Sequence, residues 1–202
     1  TDSLFNIDKQ YNADFADELI KSGLNIKWGG YFSPSHLDED HLSLLKRSGL
    51  THIEFGTEAL SDTTLKSYQK HFTVSDVIET SKLCNKLDMH FAHFMILGGN
   101  GETEETLKET FENSKRIDNT IFFPFIGMRI YPNTGLHKVA LDEKIVSPDD
   151  DLLSPVYYVS KDIDLDSIKE KAKLSGKKWF FPDEDFSEMI LKTQLKLVYR
   201  KK

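Results

Sequence analysis

One plan recurs through the first two thirds of the chain: an apolar strand, a turn carrying Gly or polar residues, an amphipathic helix, then Gly or Asn/Asp leading into the next strand. A strand whose following helix returns the chain to a neighbouring strand builds successive β/α units, so the sequence predicts an α/β fold with a parallel sheet. The first helix is expected over 13–22, presenting Phe15, Leu19 and Ile20 and stopped by Gly23, and a strand follows over 24–32. Asp38 caps a helix carrying Leu42 and Leu45 and closed by Gly49, and 50–55 alternates apolar residues with His52 and Glu54 as the next strand. A short helix over 61–69, a longer one capped by Thr73 or Ser75, and a strand over 89–97 come next. Thr103 opens a helix whose Leu107, Phe111 and Ile117 recur at helical spacing, and 121–131 reads as a strand.

A closed barrel of this kind has eight units in about 250 residues. This chain of 202 residues carries four. The expectation is therefore a partial parallel (β/α) barrel, truncated on its N-terminal side, over 1–147. Ser147-Pro148-Asp149-Asp150-Asp151 reads as a solvated linker to a small C-terminal appendage over 148–202. That appendage is mixed or helical, with a short strand over 156–159, a charged helix over 165–174 and an amphipathic helix over 184–199. The chain opens with Thr1, and Asp2-Ser3-Leu4-Phe5 reads as the end of an element already under way, so further chain is expected upstream. A barrel cut before its third strand leaves hydrogen-bonding groups open along 24–32, and self-association through that edge is expected.

Composition narrows the function classes. With 39% hydrophobic and 29% charged residues the chain can bury a core. No apolar run approaches the roughly 20 residues that cross a bilayer, no leader pattern opens the chain, and a cytoplasmic protein without a membrane partner is expected. A net charge of −7 repels a phosphate backbone, so nucleic acid is not the expected partner; a small-molecule substrate is. The one cysteine, Cys84, lies on the apolar stripe Val74, Val77, Ile78, Ser81 and reads as a small buried hydrophobe. His90 and His93 stand an odd number of residues apart on a strand and face opposite ways, so they do not share a metal. Trp28, Trp179, Phe122, Phe123 and Phe125 read as core or barrel packing.

Two places carry chemistry. Gly98-Gly99-Asn100-Gly101-Glu102-Thr103 joins a strand end to a helix start, where glycines admit a ligand to the backbone and free N–H groups await it. An ordinary tight turn explains the same residues, and neither the dinucleotide fingerprint nor the phosphate loop is present. Phe55-Gly56-Thr57-Glu58 sits at the C-terminal end of its strand, where barrel enzymes bind ligands. Glu58 shares parity with His52 and Glu54, which directs all three to one side of the sheet. A solvated strand end is the competing reading.

These segments, taken in order with Asp2-Ser3-Leu4-Phe5-Asn6, Ile53 to Glu58, Leu65 to Lys70 with Phe72-Thr73-Val74, Phe94 to Thr103 and Tyr131-Pro132-Asn133-Thr134, resemble the radical S-adenosylmethionine superfamily over about residues 1 to 140. The closest likeness is to the class often joined to a cobalamin-binding domain, which includes anaerobic magnesium-protoporphyrin monomethyl ester cyclase-like proteins. The resemblance implies an enzyme that reductively cleaves S-adenosylmethionine at a four-iron four-sulfur cluster to a 5'-deoxyadenosyl radical, which abstracts hydrogen from a substrate. It further implies that Asp2 and Ser3 approach the amino group of the methionine moiety, that Glu58 faces the ribose or methionyl portion and that Lys70 serves the carboxylate. Ile96, Gly98 and Gly99 would flank the adenine, and Tyr131 and Pro132 form the turn after the sixth strand. Cobalamin would enter through an upstream domain.

The chain also departs from the family. The C-x-x-x-C-x-x-C loop that holds the cluster is absent, Asn100 stands where a proline is common, and Asn133 where a glycine is. By itself this chain is expected to be catalytically inert, and no residue is assigned a catalytic role. Two other classes remain open: a binding module whose pocket has no cluster, and an ordinary barrel hydrolase or aldolase using His52, Glu54 and Glu58.

Overall fold

The computed structural model describes residues 4–182; Asp2, Ser3 and the helix expected over 184–199 lie outside them. Strands β1 (Trp28–Phe32), β2 (Leu50–Glu58), β3 (His90–Leu97) and β4 (Ile121–Ile126) form one parallel sheet in chain order. Between them run α1 (Lys9–Ser22), α2 (Glu39–Arg47), α3 (Asp62–Ser67), α4 (Val74–Lys86) and α5 (Glu104–Ser114). The fold is α/β, a partial parallel barrel. Among the described residues the sheet does not close.

The helices other than α3 start where a side chain takes over orphan N–H groups. Asp8 accepts from the Tyr11 N–H, and Thr73 and Thr103 form capping boxes with Asp76 and Thr106. The Asp8 cap places the start of α1 four residues before the expected Ala13. Strand β1 is shorter than the expected 24–32 because residues 24–27 are spent crossing from the Gly23 cap over α2's end. The Ile26 carbonyl lies where a Cβ on Gly49 would stand, 2.0 Å away, and pairing begins only when the Trp28 N–H donates to the Gly49 carbonyl at 3.1 Å.

Alternation along the strands divides the sheet into two faces. Ile53, Phe55, Phe91, Met95, Leu97 and Phe122 turn to the helices and pack with Leu42, Leu45, Val77, Ile78, Cys84, Leu107 and Phe111. Each fully buried side chain of this size contributes about 1.5–3 kcal/mol. His93 shares that face, fully buried between the rings of Phe55 and Phe122 at 5.4 Å each. The Ser81 hydroxyl donates to the Val77 carbonyl, so it accepts from His93 Nε2–H at 3.2 Å, while Thr57 donates to Nδ1 at 2.7 Å. Burial drops the imidazole to about 3, keeping it neutral. His90 is exposed, as the odd spacing predicted, and Cys84 is buried as expected.

The expected strand over 121–131 is broken. Gly127, at φ +78°, donates its N–H to the Leu97 carbonyl at 2.7 Å and swings the chain into a second, two-stranded antiparallel sheet of β5 (Met128–Arg129) and β6 (Tyr157–Tyr158). A side chain at residue 127 would meet the Tyr158 carbonyl at 2.7 Å, so the crossing needs glycine. An unexpected helix, α6 (Gly135–Asp142), follows the Thr134 cap, and Ile130, Ala140, Val146, Leu152 and Tyr158 form a second cluster. Helix α7 (Leu165–Leu174) matches the expected 165–174. It sends Ile168 and Ala172 into the main core, and Trp179 pairs with Phe122 beside β4. No described helix is long and apolar enough to cross a membrane.

Candidate functional site

The C-terminal ends of β2 and β3 converge with the end of α3. Strand β2 carries a bulge: Gly56 pairs with Phe94 and Glu58 with Met95, so two steps on β2 match one on β3. Parity alone therefore does not aim Glu58. Its backbone turns left-handed, φ +65°, and brings Oε1 back to 3.5 Å from the position of a Cβ on Gly56. The carboxylate thus reaches the open face beside His52 and Glu54, by a strained residue rather than by alternation.

Lys70 is delivered by the end of α3. The Lys70 N–H donates to the Leu65 carbonyl and the Gln69 N–H to the Lys66 carbonyl, a Schellman closure with Gln69 at φ +57° in the position glycine usually takes. From there Lys70 Nζ donates to Glu58 Oε1 at 3.0 Å, both side chains being mostly buried. The resemblance set these two groups at different parts of one ligand; the structure sets them side by side. A carboxylate next to an ammonium matches the zwitterionic head of an α-amino acid, whose ammonium and carboxylate are also neighbours.

The same helix end supports the glycine turn. Ser67 donates to the Asn100 carbonyl at 2.6 Å, and the Tyr68 hydroxyl lies 2.2 Å from where a Cβ on Gly99 would stand. Glycine at 99 is therefore dictated by packing. Beneath the turn, the fully buried Glu102 accepts from the Gly98 N–H at 2.5 Å. Burial raises its carboxyl to about 7 against the pull of the Gly98 and Gly99 N–H groups, and Glu102 Oε1 and the Tyr68 hydroxyl have no hydrogen-bond partner among the described residues. Burial also pushes the Tyr68 phenol well above its ordinary range. Sequence reasoning missed Tyr68 and Glu102. A buried acid four residues beyond a glycine pair at a strand end was the available signal.

Ile96 lies on the open face of β3, in register with Phe125. Gly98, at φ +80°, and Gly99 follow directly. Tyr131 is 53% exposed, its ring sits under the Arg129 guanidinium at 4.8 Å, and it follows Ile130 of the second cluster. No hydrogen bond among the described residues joins His52 to Glu54 or Glu58; His52 instead lies over Gly29 and contacts Thr51.

The residues present do not fit an iron-sulfur cluster. Cys84 faces the helix-side core with its thiol pushed up to about 12, and no three His, Cys, Asp or Glu among the described residues form a metal-holding group. They do fit the amino-acid and nucleoside portions of S-adenosylmethionine. Glu58 and Lys70 set a carboxylate beside an ammonium, and Ile96 precedes the Gly98-Gly99 backbone at the neighbouring strand end.

The chain is similar to known proteins. The anaerobic magnesium-protoporphyrin IX monomethyl ester cyclase of Cereibacter sphaeroides is 32% identical over 109 residues, which cover 52% of this chain and 18% of that protein. The tryptophan 2-C-methyltransferase of Streptomyces laurentii is 24% identical over 152 residues, covering 68% and 25%. The chain thus spans a quarter or less of the length of these relatives. Among solved structures, the radical S-adenosylmethionine methyltransferase TsrM of Kitasatospora setae superposes with a TM-score of 0.65 at 20% identity, over 80% of this chain and 34% of that one. The described fold is therefore similar to part of that enzyme's fold. The Radical SAM superfamily model matches residues 6–113, more than half of the chain, and the chain belongs to that superfamily.

Proposed function

We propose that this chain supplies the nucleoside and amino-acid side of a radical S-adenosylmethionine site, for a parent enzyme acting on a small molecule. The observation that carries the reading is the Glu58–Lys70 pair, held at 3.0 Å by a strained strand end and a Schellman closure, beside the Gly98-Gly99 turn. The left-handed backbone belongs to Glu58 and to Gln69, the residue before Lys70. Glu58 and Lys70 present charge at the strand ends, where a parallel α/β sheet binds its ligands. In the parent, S-adenosylmethionine contributes a 5'-deoxyadenosyl radical once reductively cleaved. This chain's share is to bind and orient: Glu58 meets the α-ammonium, Lys70 the α-carboxylate, and the Ile96 to Gly99 edge the adenine. Since cluster ligands are absent from the chain, no redox step is assigned to it, and by itself it is inert. Any cobalamin the parent uses would enter through an upstream domain.

The test is calorimetric titration of S-adenosylmethionine into the purified chain and its variants. Without a cluster the affinity is expected near millimolar, about 4 kcal/mol. Lys70→Ala and Glu58→Ala each remove a charge-assisted contact of about 1.5–3 kcal/mol and weaken binding about tenfold or more. Lys82→Ala, exposed on α4, leaves it unchanged. Parent affinity in all three variants would discard the assignment.

A further inference from the structure

A groove separate from the strand-end pair opens where the C-terminal end of β4, strand β6 and the start of α7 meet. Phe125, Ile126, Tyr157, Leu165, Phe181 and Pro182 line it, and its volume is about 500 Å³. Phe125, Ile126, Tyr157 and Leu165 are 47%, 36%, 50% and 44% exposed, and four large apolar side chains exposed at one place mark a surface that something covers. The neighbouring strand stops short of it. Residues 178–180 run parallel to β4: the Phe122 N–H donates to the Lys178 carbonyl and the Phe180 N–H to the Phe122 carbonyl, both at 2.9 Å. The next donors on that ladder would be residues 124 and 182, and both are proline, without an N–H to give. Pairing therefore ends at the groove.

The sequence beyond Pro182 suits this surface. The helix expected over 184–199 sets Phe186, Met189, Ile190 and Leu197 on one face. Phe186 stands four residues past Pro182, which is itself part of the lining, so even an extended connection holds it within about 14 Å of that wall. The tether makes the contact intramolecular, at an effective concentration on the order of millimolar, so weak docking suffices. Charge agrees with the placement. Asp183, Glu184 and Asp185 open the segment, while the groove's own charged residues are Lys169 and Asp166 and the cleft on the other side of Phe181 is lined by four lysines and one glutamate. Lys169 lies in both linings, with its ammonium 5.6 Å from the centre of the Phe181 ring, so the acidic start meets net positive charge as the chain leaves Pro182.

We propose that residues 184–199 of this chain form that helix and seat its apolar face in the groove, covering the C-terminal end of β4. The groove backs onto the glycine turn: Val159 lies 3.3 Å and Leu165 3.9 Å from where a Cβ on Gly98 would stand, so the docked segment buttresses the turn from outside. The inference is independent of S-adenosylmethionine binding. Its test is relaxation broadening by a nitroxide attached at Lys192→Cys in the full, isotope-labelled chain. The native Cys84 is buried with its thiol pushed up to about 12 and does not compete for the label. The amides of Ile126, Tyr157 and Leu165 should broaden while those of Leu42 and Leu45, in α2, stay sharp. Ile190→Asp, added to the labelled chain, should lower the ratio of docked to undocked segment at least about tenfold and restore those signals. Sharp signals from Ile126, Tyr157 and Leu165 in the labelled chain would overturn the proposal, as would broadening that persists in Ile190→Asp. Broadening passed from a spin-labelled chain to an isotope-labelled chain carrying no nitroxide would overturn it too, since the occupant would then be a second copy.

Discussion

Two buried titratable groups give the fold opposing pH dependences, and replacing one should unmask the other. His93 has a folded-state pKa of about 3 against an ordinary 6.5, so as pH falls from 6.5 the unfolded chain takes up a proton that the folded chain refuses. Stability is lost on that descent at about 1.4 kcal/mol per pH unit. Glu102 is raised to about 7 from 4.5, so between those values the unfolded chain has released a proton that the folded chain keeps, and stability is lost as pH rises. From pH 4.5 to 6.5 the two slopes cancel, and the wild-type profile should be nearly flat across that window. Glu102→Gln keeps an acceptor for the Gly98 N–H and removes the titration. Relative to wild type the variant should gain about 3 kcal/mol between pH 4.5 and 7, and its own profile should rise with pH from 4.5 to 6.5 with the His93 slope. Urea unfolding at pH 4.5, 5.5, 6.5 and 7.5, followed by circular dichroism, measures both. Parallel profiles for variant and wild type would refute the placement of Glu102 as a buried acid beneath the turn.

Two further outcomes follow from packing and from the sheet edge. Gly99→Ala should lower stability by about 1–3 kcal/mol in thermal or urea melts, because the added methyl meets the Tyr68 hydroxyl, and Tyr68→Phe should restore part of the loss; equal costs in both backgrounds would disprove that contact. Strand β1 pairs only with β2 among the described residues, so light scattering should show concentration-dependent self-association, which a stable monomer with slow amide exchange along residues 28–32 would contradict.

Local rules made much of the architecture legible. Thr73, Thr103 and Asp38 cap helices as their sequence neighbours demand, the periodicity over 165–174 marks α7, and Asn133 takes the left-handed backbone, φ +62°, that its turn requires. What escaped were decisions made by tertiary contact. Gly127 reads like any residue in an apolar run, yet it ends β4 because Tyr158, distant in sequence, occupies the space beyond it. The α6 segment is short and closes on a cluster drawn from 130–158, which periodicity over eight residues does not reveal. At the site, the motifs located Glu58, Lys70, Ile96, Gly98 and Gly99 in one region, but alternation offered no warning of the bulge that re-aims Glu58 or of the pairing that joins it to Lys70. Phe122, Phe123 and Phe125 were expected as core or barrel packing, without a choice between the two; Phe122 is core, and alternation puts Phe123 and Phe125 on the opposite face of the sheet.

The central claim is that S-adenosylmethionine meets this chain at the ends of β2 and β3. Its most direct test is an amide chemical-shift footprint of the labelled chain titrated with S-adenosylmethionine to several millimolar. The account predicts shifts concentrated at residues 56–58, 68–70 and 96–102, saturating together. Saturable shifts that leave those residues unmoved would contradict it.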